Sequence, residues 1–188
     1  MPANLPVPVP VGVGTLGGMK TVVLGSRPPE LEALIEKRRR LGQDSFDEIW
    51  EGDYHMVPAP HGRHGRLDAQ LLRALGPLGD AAGLVATTIF NLGEPDDFRI
   101  PDHGFHREPP DEMYLATAAV IVEIRSPDDE TYEKFDFYAR HGVDEIVVLE
   151  PDEEKLHWYE LVDARYRETD RSAILAVDVS DIEDQLDW

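Results

Sequence analysis

The hydrophobic positions of this chain recur at two different spacings. Apolar residues three to four positions apart are typical of amphipathic helices. We therefore expect helices over residues 28–41, 62–76 and 128–142. Pro28 and Pro29 are suited to open the first helix, whereas Gly76–Pro77 should end the second. We expect Asp128 or Asp129 to cap the third helix.

Other hydrophobic segments have the alternating or continuous pattern of β-strands. Residues 46–57 alternate around Glu51–Gly52 and predict a β-hairpin. Residues 117–124 form a nearly unbroken apolar run, which predicts a strand covered on both faces. Further strands are expected over residues 84–90, 98–101, 145–151, 155–161 and 173–179. The order of elements predicts an α/β layer fold, in which helices flank a central mixed β-sheet and an N-terminal helix and hairpin precede it.

Length and composition limit the classes of protein that fit. A chain of 188 residues suggests one domain, because domains most often hold about 100–200 residues. Residues 1–18 are rich in proline, glycine and valine, so we expect a flexible tail there and a single domain over residues 19–188. The absence of cysteine excludes disulfides and thiol nucleophiles and fits a cytoplasmic location. No apolar run approaches the roughly 18 residues of a membrane span, so we expect no membrane partner.

Charge is distributed unevenly along the chain. The net charge is −20, and the second half carries almost all of it, with about −2 over residues 1–94 and about −18 over residues 95–188. Like charges repel, so an anionic partner should approach the less acidic N-terminal half. Concentrated carboxylates also suit a cation, and the acidic half is therefore a candidate to hold a metal ion.

Three charged residues stand out by their positions. Glu123 interrupts the most apolar strand, where an ionised carboxylate is costly unless it is paired, protonated or bound to a metal. Asp102 follows a short strand, and Lys134 lies on the helix after Glu123. Each has a purely structural alternative: an ion pair of Glu123 with Arg125, a turn at Asp102, and an exposed salt bridge of Lys134 with Glu130.

Taken together, these residues and their surroundings resemble the PD-(D/E)xK nuclease superfamily. The resemblance is closer to its bacterial, Uma-two type of restriction-endonuclease-like proteins, and it covers residues from about 28 to about 162. It rests on the hairpin DEIWEGDYHMVPAP followed by His64, and on the segments IPDHGF, IVEIRSP, EKFDFYARHGVDEIVVLEP and LHWYEL in that order. The resemblance implies a restriction-endonuclease-like fold and an endonuclease that hydrolyses phosphodiester bonds of DNA.

The resemblance also implies roles for individual residues. Asp102 and Glu123 would bind Mg²⁺ or Mn²⁺, helped by the carbonyl of Ile124, and Glu48 would be an outer metal ligand. Lys134 would be the third catalytic residue, since lysine can orient a water or offset developing negative charge. A divalent cation would polarise the phosphate and lower the pKa of the attacking water.

One position departs from the superfamily pattern. Arg125 stands where the strand usually carries lysine, and arginine stays protonated, so it can stabilise phosphate charge but cannot act as a base. The expected phosphate contacts are Arg125, His64, Arg63 and Arg66. Two alternatives remain: a catalytically inactive nuclease-fold module that binds DNA or a protein partner, and a two-carboxylate hydrolase such as a glycosidase. A small enzyme that cuts two strands is expected to form a symmetric homodimer.

Overall fold

The computed structural model of the chain describes residues 21–23, 28–126 and 130–188. The expected tail over residues 1–18 lies outside the described residues, as do the two expected helix caps, Asp128 and Asp129. None of the helices in these three segments is long and apolar enough to cross a membrane.

The described segments contain helices and short strands in mixed order. The helices are α1 (Pro29–Arg40), α2 (Gly62–Ala81), α3 (Phe135–Arg140) and α4 (Val179–Glu183), with a 3₁₀ turn over Thr131–Lys134. The strands are β1 (Thr21–Val23), β2 (Glu48–Trp50), β3 (Asp53–Met56), β4 (Val85–Thr87), β5 (Asn91–Glu94), β6 (Asp97–Arg99), β7 (His103–His106), β8 (Tyr114–Leu115), β9 (Val120–Ile124), β10 (Glu145–Glu150), β11 (Lys155–Val162), β12 (Arg165–Thr169), β13 (Arg171–Ser172) and β14 (Val177–Asp178).

The longer strands form two six-stranded sheets. The first has the order β1-β3-β2-β6-β5-β8 and includes the expected N-terminal hairpin. The second has the order β12-β11-β10-β9-β7-β4, and it is mixed because β9 pairs parallel with β10 and antiparallel with β7. Strand β9 is therefore central, and all five of its residues are buried. The prediction of a mixed α/β fold with an apolar central strand is confirmed.

Side chains of β9 alternate between two hydrophobic clusters. Val122 packs with the leucines of α2, and Ile121 packs with Phe137 and Tyr138 of α3 on the opposite face of the sheet. Because alternate residues of a strand share a face, Glu123 points to the side of Ile121 and therefore towards α3. This alternation sets the position of the candidate site.

The predicted end of the second helix is wrong. Helix α2 runs through Gly76–Pro77 and ends at Ala81. A proline inside a helix removes one hydrogen bond and crowds the preceding turn. The buried face formed by Leu71, Leu75 and Gly79 continues across this position. A glycine before the proline lessens the steric conflict, because it has no Cβ. The free energy gained by packing this face against the sheet thus exceeds the local cost of the proline.

Two further predictions are corrected. The helix expected over 128–142 is shorter, because the described part begins with the 3₁₀ turn and α3 ends at Arg140. The strand expected over 173–179 is wrong: its centre is a turn between β13 and β14, with Ala176 at φ 54°. The backbone N–H groups of Ala173 and Ile174 donate to the buried carboxylate of Glu145, which replaces the ladder that a strand would need.

Candidate active site

Glu123 lies in the middle of the second sheet and is only 4% exposed. Its Oε1 atom is 3.2 Å from Nζ of Lys134 and accepts a hydrogen bond from the hydroxyl of Tyr138. Both partners come from the segment that follows β9, where they are four residues apart and so face the same side. The charge of Glu123 is thus met by a cation and a hydroxyl on the face of Ile121.

Lys134 occupies the last position of the 3₁₀ turn and is 5% exposed. Its Nζ donates to Oε1 of Glu48 at 2.9 Å as well as to Glu123. The alternative of an exposed surface pair is therefore wrong for this lysine. A buried ammonium between two carboxylates compensates two charges that would otherwise be costly to remove from water.

Glu48 begins the first hairpin and is 2% exposed. Besides Lys134, its Oε1 accepts from the backbone N–H of Ile100 at 2.7 Å, and its Oε2 accepts from Nε1 of Trp50 at 2.7 Å. Three donors therefore fix this carboxylate. The contact with Ile100 attaches the hairpin to the segment that leads into Asp102.

Asp102 stands just before β7, beside the end of β9. Its backbone N–H donates to the carbonyl of Val122 at 3.0 Å, and its Oδ2 accepts from the N–H of Ile124 at 2.7 Å. His64 on α2 lies with Nε2 2.9 Å from Oδ1 of Asp102. The carboxylate is thus oriented from one side by the sheet and from the other by a helix.

A second pair connects the same helix to the same strand. Asp68, one turn after His64, has Oδ1 2.6 Å from Nε2 of the fully buried His103. The two pairs are reciprocal, because α2 contributes a histidine to an aspartate in one and an aspartate to a histidine in the other. The first pair joins Asp102 to the helix through a hydrogen bond, whereas the second is a close approach without hydrogen-bond geometry.

The pKa of Tyr138 reflects its surroundings. Burial raises this pKa well above its ordinary value, and the negative charge of Glu123 raises it further. The hydroxyl therefore stays protonated and continues to donate to Glu123.

One cavity of about 850 Å³ collects most of the candidate residues. Its lining includes all of the expected catalytic and metal-binding residues and three of the four expected phosphate contacts: Glu48, Asp102, Glu123, Ile124, Lys134, Arg63, His64 and Arg125. Arg66 does not belong to this lining; it contacts Asp187 near the C-terminus, with Nη1 3.1 Å from Oδ2.

The two arginines of the lining are held by acidic partners. Arg125 donates to both oxygens of Glu150, at 2.8 and 2.9 Å. Glu150 therefore compensates the charge of Arg125, as Lys134 compensates that of Glu123. Neither charge requires the alternative ion pair between Arg125 and Glu123. Arg63 lies 3.0 Å from Asp152 in the turn between β10 and β11. Both arginine side chains are partly exposed.

The donor atoms of the cavity suit a hard divalent cation. Asp102 and Glu123 supply carboxylates, and the carbonyl of Ile124 should point to the same side as its N–H, which donates to Asp102. No group of three or more His, Asp or Glu side chains in the described segments could hold a metal ion by itself. Mg²⁺ commonly uses one or two carboxylates and completes its shell with water and phosphate oxygens.

Sequence reasoning missed Tyr138, Asp68 and His103 as parts of the site. The four-residue spacing of Lys134 and Tyr138, and of His64 and Asp68, was a signal that each pair shares a helical face. The periodicity did not show which carboxylate or imidazole each of these side chains contacts.

Comparison with known proteins agrees with this architecture. The model of the Uma2 family, described as "Putative restriction endonuclease", matches residues 29–182. A crystal structure of a protein from Anabaena variabilis, described as a "putative nuclease belonging to DUF820", aligns with a TM-score of 0.59 and 17% identity, covering 74% of this chain and 90% of that one. That likeness shows a shared restriction-endonuclease-like fold. No match was found among curated protein sequences. Because the family match spans most of the described residues, the chain belongs to the Uma2 family.

Proposed function

We propose that the protein is a Mg²⁺- or Mn²⁺-dependent endonuclease that hydrolyses phosphodiester bonds of DNA at a PD-(D/E)xK-type site. The observation that carries this proposal is the convergence of Asp102, Glu123 and Lys134 on one cavity, although they come from three separate elements. Family membership favours this activity over the two-carboxylate glycosidase that the sequence left open.

Charge around the cavity supports a requirement for a cation. The acidic lining residues are Glu48, Asp102, Glu123 and Asp152, whereas the permanently basic ones are Arg63, Arg125 and Lys134. These bases lie close to acids, so the lining by itself has little excess positive charge to attract a phosphate. A divalent cation bound by Asp102, Glu123 and the Ile124 carbonyl would supply that charge and would lower the pKa of the attacking water.

Side chains of the cavity would bind the cation, position the water and contact the phosphate. Asp102 is oriented by His64 and by the sheet, so its free energy of reorganisation on binding a cation is small. Lys134 would orient the water or offset charge that develops on the phosphate. Glu48 would hold Lys134 in place and would contact the cation through water. Arg125 and Arg63, which also line the cavity, would contact the phosphate.

Cleavage assays with purified protein test the proposal. Supercoiled plasmid, linear duplex, single-stranded and branched DNA are each incubated with Mg²⁺, Mn²⁺ or EDTA. We expect cation-dependent cleavage that Glu123→Gln and Lys134→Ala abolish and that Lys155→Ala, which alters an exposed ion pair with Glu183, leaves intact. Cleavage that persists in both site variants would refute these assignments.

A second candidate is a module that binds DNA or a protein partner without turnover. It is favoured by Arg125 at the position of the usual strand lysine, where it is bound to Glu150. Titration calorimetry with Mg²⁺ and Mn²⁺ separates the candidates. Cation binding that Asp102→Asn removes supports the enzyme, whereas no binding at millimolar concentration supports the module.

We also propose that the enzyme forms a two-fold symmetric homodimer, the commonest closed assembly of soluble proteins. Light scattering coupled to size-exclusion chromatography measures the mass directly. The mass of a single chain for the active protein would exclude this arrangement.

A further inference from the structure

We infer that the cavity receives an unpaired nucleobase beside the scissile phosphate, so that the preferred substrate is single-stranded or locally unpaired DNA rather than intact duplex. This inference rests on the proposed function and specifies its substrate class. It is carried by an apolar wall that lies in the same cavity as the charged residues.

The wall is formed by loop residues around the acidic cluster. Its members are Phe46, Val57, Pro58, Ala59, Pro60, Ile89 and Ile100. Phe46 and Ile100 each stand two residues before a carboxylate of the site, Glu48 and Asp102 respectively. The wall and the charged cluster are therefore parts of one binding surface.

Four of the seven wall residues are exposed, and the other three, Phe46, Val57 and Ile100, are half-buried. Ile89 is 43% exposed, and the stretch from Pro58 to Pro60 is exposed as well. A contiguous apolar patch that is rimmed by polar residues marks a ligand-binding groove, whereas single exposed apolar residues do not. A phosphodiester needs the charged end of the cavity, and a flat, weakly polar base needs the apolar wall. A cavity of about 850 Å³ is large enough for both parts of a nucleotide.

An intact duplex cannot use this wall. Its bases are paired and stacked inside the helix, so enzymes that contact a base face either act on single strands or extrude the nucleotide. A base that is already unpaired avoids the unstacking cost of a few kcal/mol. The wall would therefore favour a strand whose base is free.

The surface charges point in the same direction. Duplex binding relies on several cations that neutralise successive phosphates. Many arginines of the described segments lie instead within 4 Å of an acid, as in the pairs Arg38–Asp47, Arg66–Asp187, Arg107–Asp144, Arg140–Glu51 and Arg171–Asp178. This charge distribution favours a substrate that contacts the protein mainly at the cavity over a duplex whose phosphates contact it along many base pairs.

Two readouts test the inference. The first is kcat/KM for cleavage of one sequence as a single strand and as a duplex. The second is the fluorescence of 2-aminopurine placed next to the cleavage site, with Glu123→Gln as the non-cleaving protein. Ile89→Ser removes part of the wall without a buried cavity, and Met113→Ser is the matched control, since Met113 is 76% exposed and does not line the cavity.

We expect the single strand to be cleaved at least tenfold faster and its 2-aminopurine fluorescence to change on binding. Ile89→Ser should lower kcat/KM for the single strand by about fivefold, as expected for a partial loss of base contact, and Met113→Ser should not. Equal cleavage of both forms, or no effect of Ile89→Ser, would overturn the inference while the nuclease proposal stands. If no DNA is cleaved, a change in 2-aminopurine fluorescence on binding of the single strand that Ile89→Ser removes would support base binding. In that case the proposed nuclease activity would be refuted and the inference of base binding would not.

Discussion

Lys134 and Glu48 lie 86 residues apart in the sequence, and Nζ of Lys134 donates to Oε1 of Glu48 at 2.9 Å. The same ammonium donates to Glu123 at 3.2 Å. Glu48 belongs to a strand of the first sheet and Glu123 to the centre of the second. One buried cation therefore joins the two sheets at the candidate site.

Replacement of Lys134 by methionine should affect both stability and activity. Two carboxylates would remain buried without their cation, and breaking a buried ion pair from one side costs about 3–5 kcal/mol. We expect a loss of this size in the free energy of unfolding by urea, together with loss of cleavage. Lys155→Met is the control, because its exposed pair with Glu183 should contribute only about 0–1 kcal/mol. Equal stability of the two variants would contradict the role of Lys134.

Tyr138→Phe removes a single hydroxyl from the site. Because that hydroxyl donates to the carboxylate of Glu123, we expect a stability loss of about 1.5–3 kcal/mol and reduced cleavage. Tyr166→Phe is the matched variant, since its hydroxyl donates to the neutral carbonyl of Val143 and should cost about 0.5–1.5 kcal/mol. Thermal and urea unfolding measure the difference. An unchanged activity in Tyr138→Phe would show that orientation of Glu123 does not depend on the hydroxyl.

His64→Ala tests the orientation of Asp102. Loss of a group that positions a metal-binding side chain typically costs about 10–100-fold in metal affinity or activity. We expect a loss in this range, with weaker Mn²⁺ binding by calorimetry and partial rescue by His64→Gln, which retains a donor. His157→Ala, which alters an exposed pair with Glu168, should have no such effect. A loss of activity with unchanged metal binding would assign His64 to the phosphate instead.

Gly79→Ala should destabilise the protein although alanine favours helices. A Cβ at this position would lie 2.6 Å from the ring of Phe105, which is fully buried against α2. Overpacking of this kind costs about 1–3 kcal/mol. Gly65→Ala on the same helix would meet no atom within 4 Å and should stabilise by up to about 1 kcal/mol. Urea unfolding measures the change in unfolding free energy of each variant. A change of the same sign in both variants would contradict the close packing at Phe105.

His106 should contribute to loss of stability in acid. Burial lowers its pKa, more than a backbone contact with Thr117 raises it. Between this lowered pKa and the ordinary value near 6.5, the unfolded chain binds more protons, so stability falls as the pH falls through that window. We expect the unfolding free energy of His106→Gln to decline less than that of the wild-type protein between about pH 7 and pH 5. Parallel curves for the two proteins would refute the contribution.

Local sequence pattern was sufficient for the central part of the site. A carboxylate inside an unbroken apolar run can persist only with compensation, and the structure provides it at Glu123 through Lys134 and Tyr138. The central strand and the first hairpin follow from the two-residue period of strands. These features depend on residues close together in the chain, which is why periodicity predicted them.

Only the tertiary structure decided the partners that lie far apart in sequence. Because α2 packs on the sheet, the helix continues past Pro77. The same packing places His64 beside Asp102, whereas Arg66 contacts Asp187. In the same way, the buried Glu145 converted the apolar segment after Ser172 into a turn. Sequence fixes the period and polarity of each element, but the partner of a buried charge depends on which other element reaches it, and that is determined when all the elements pack together.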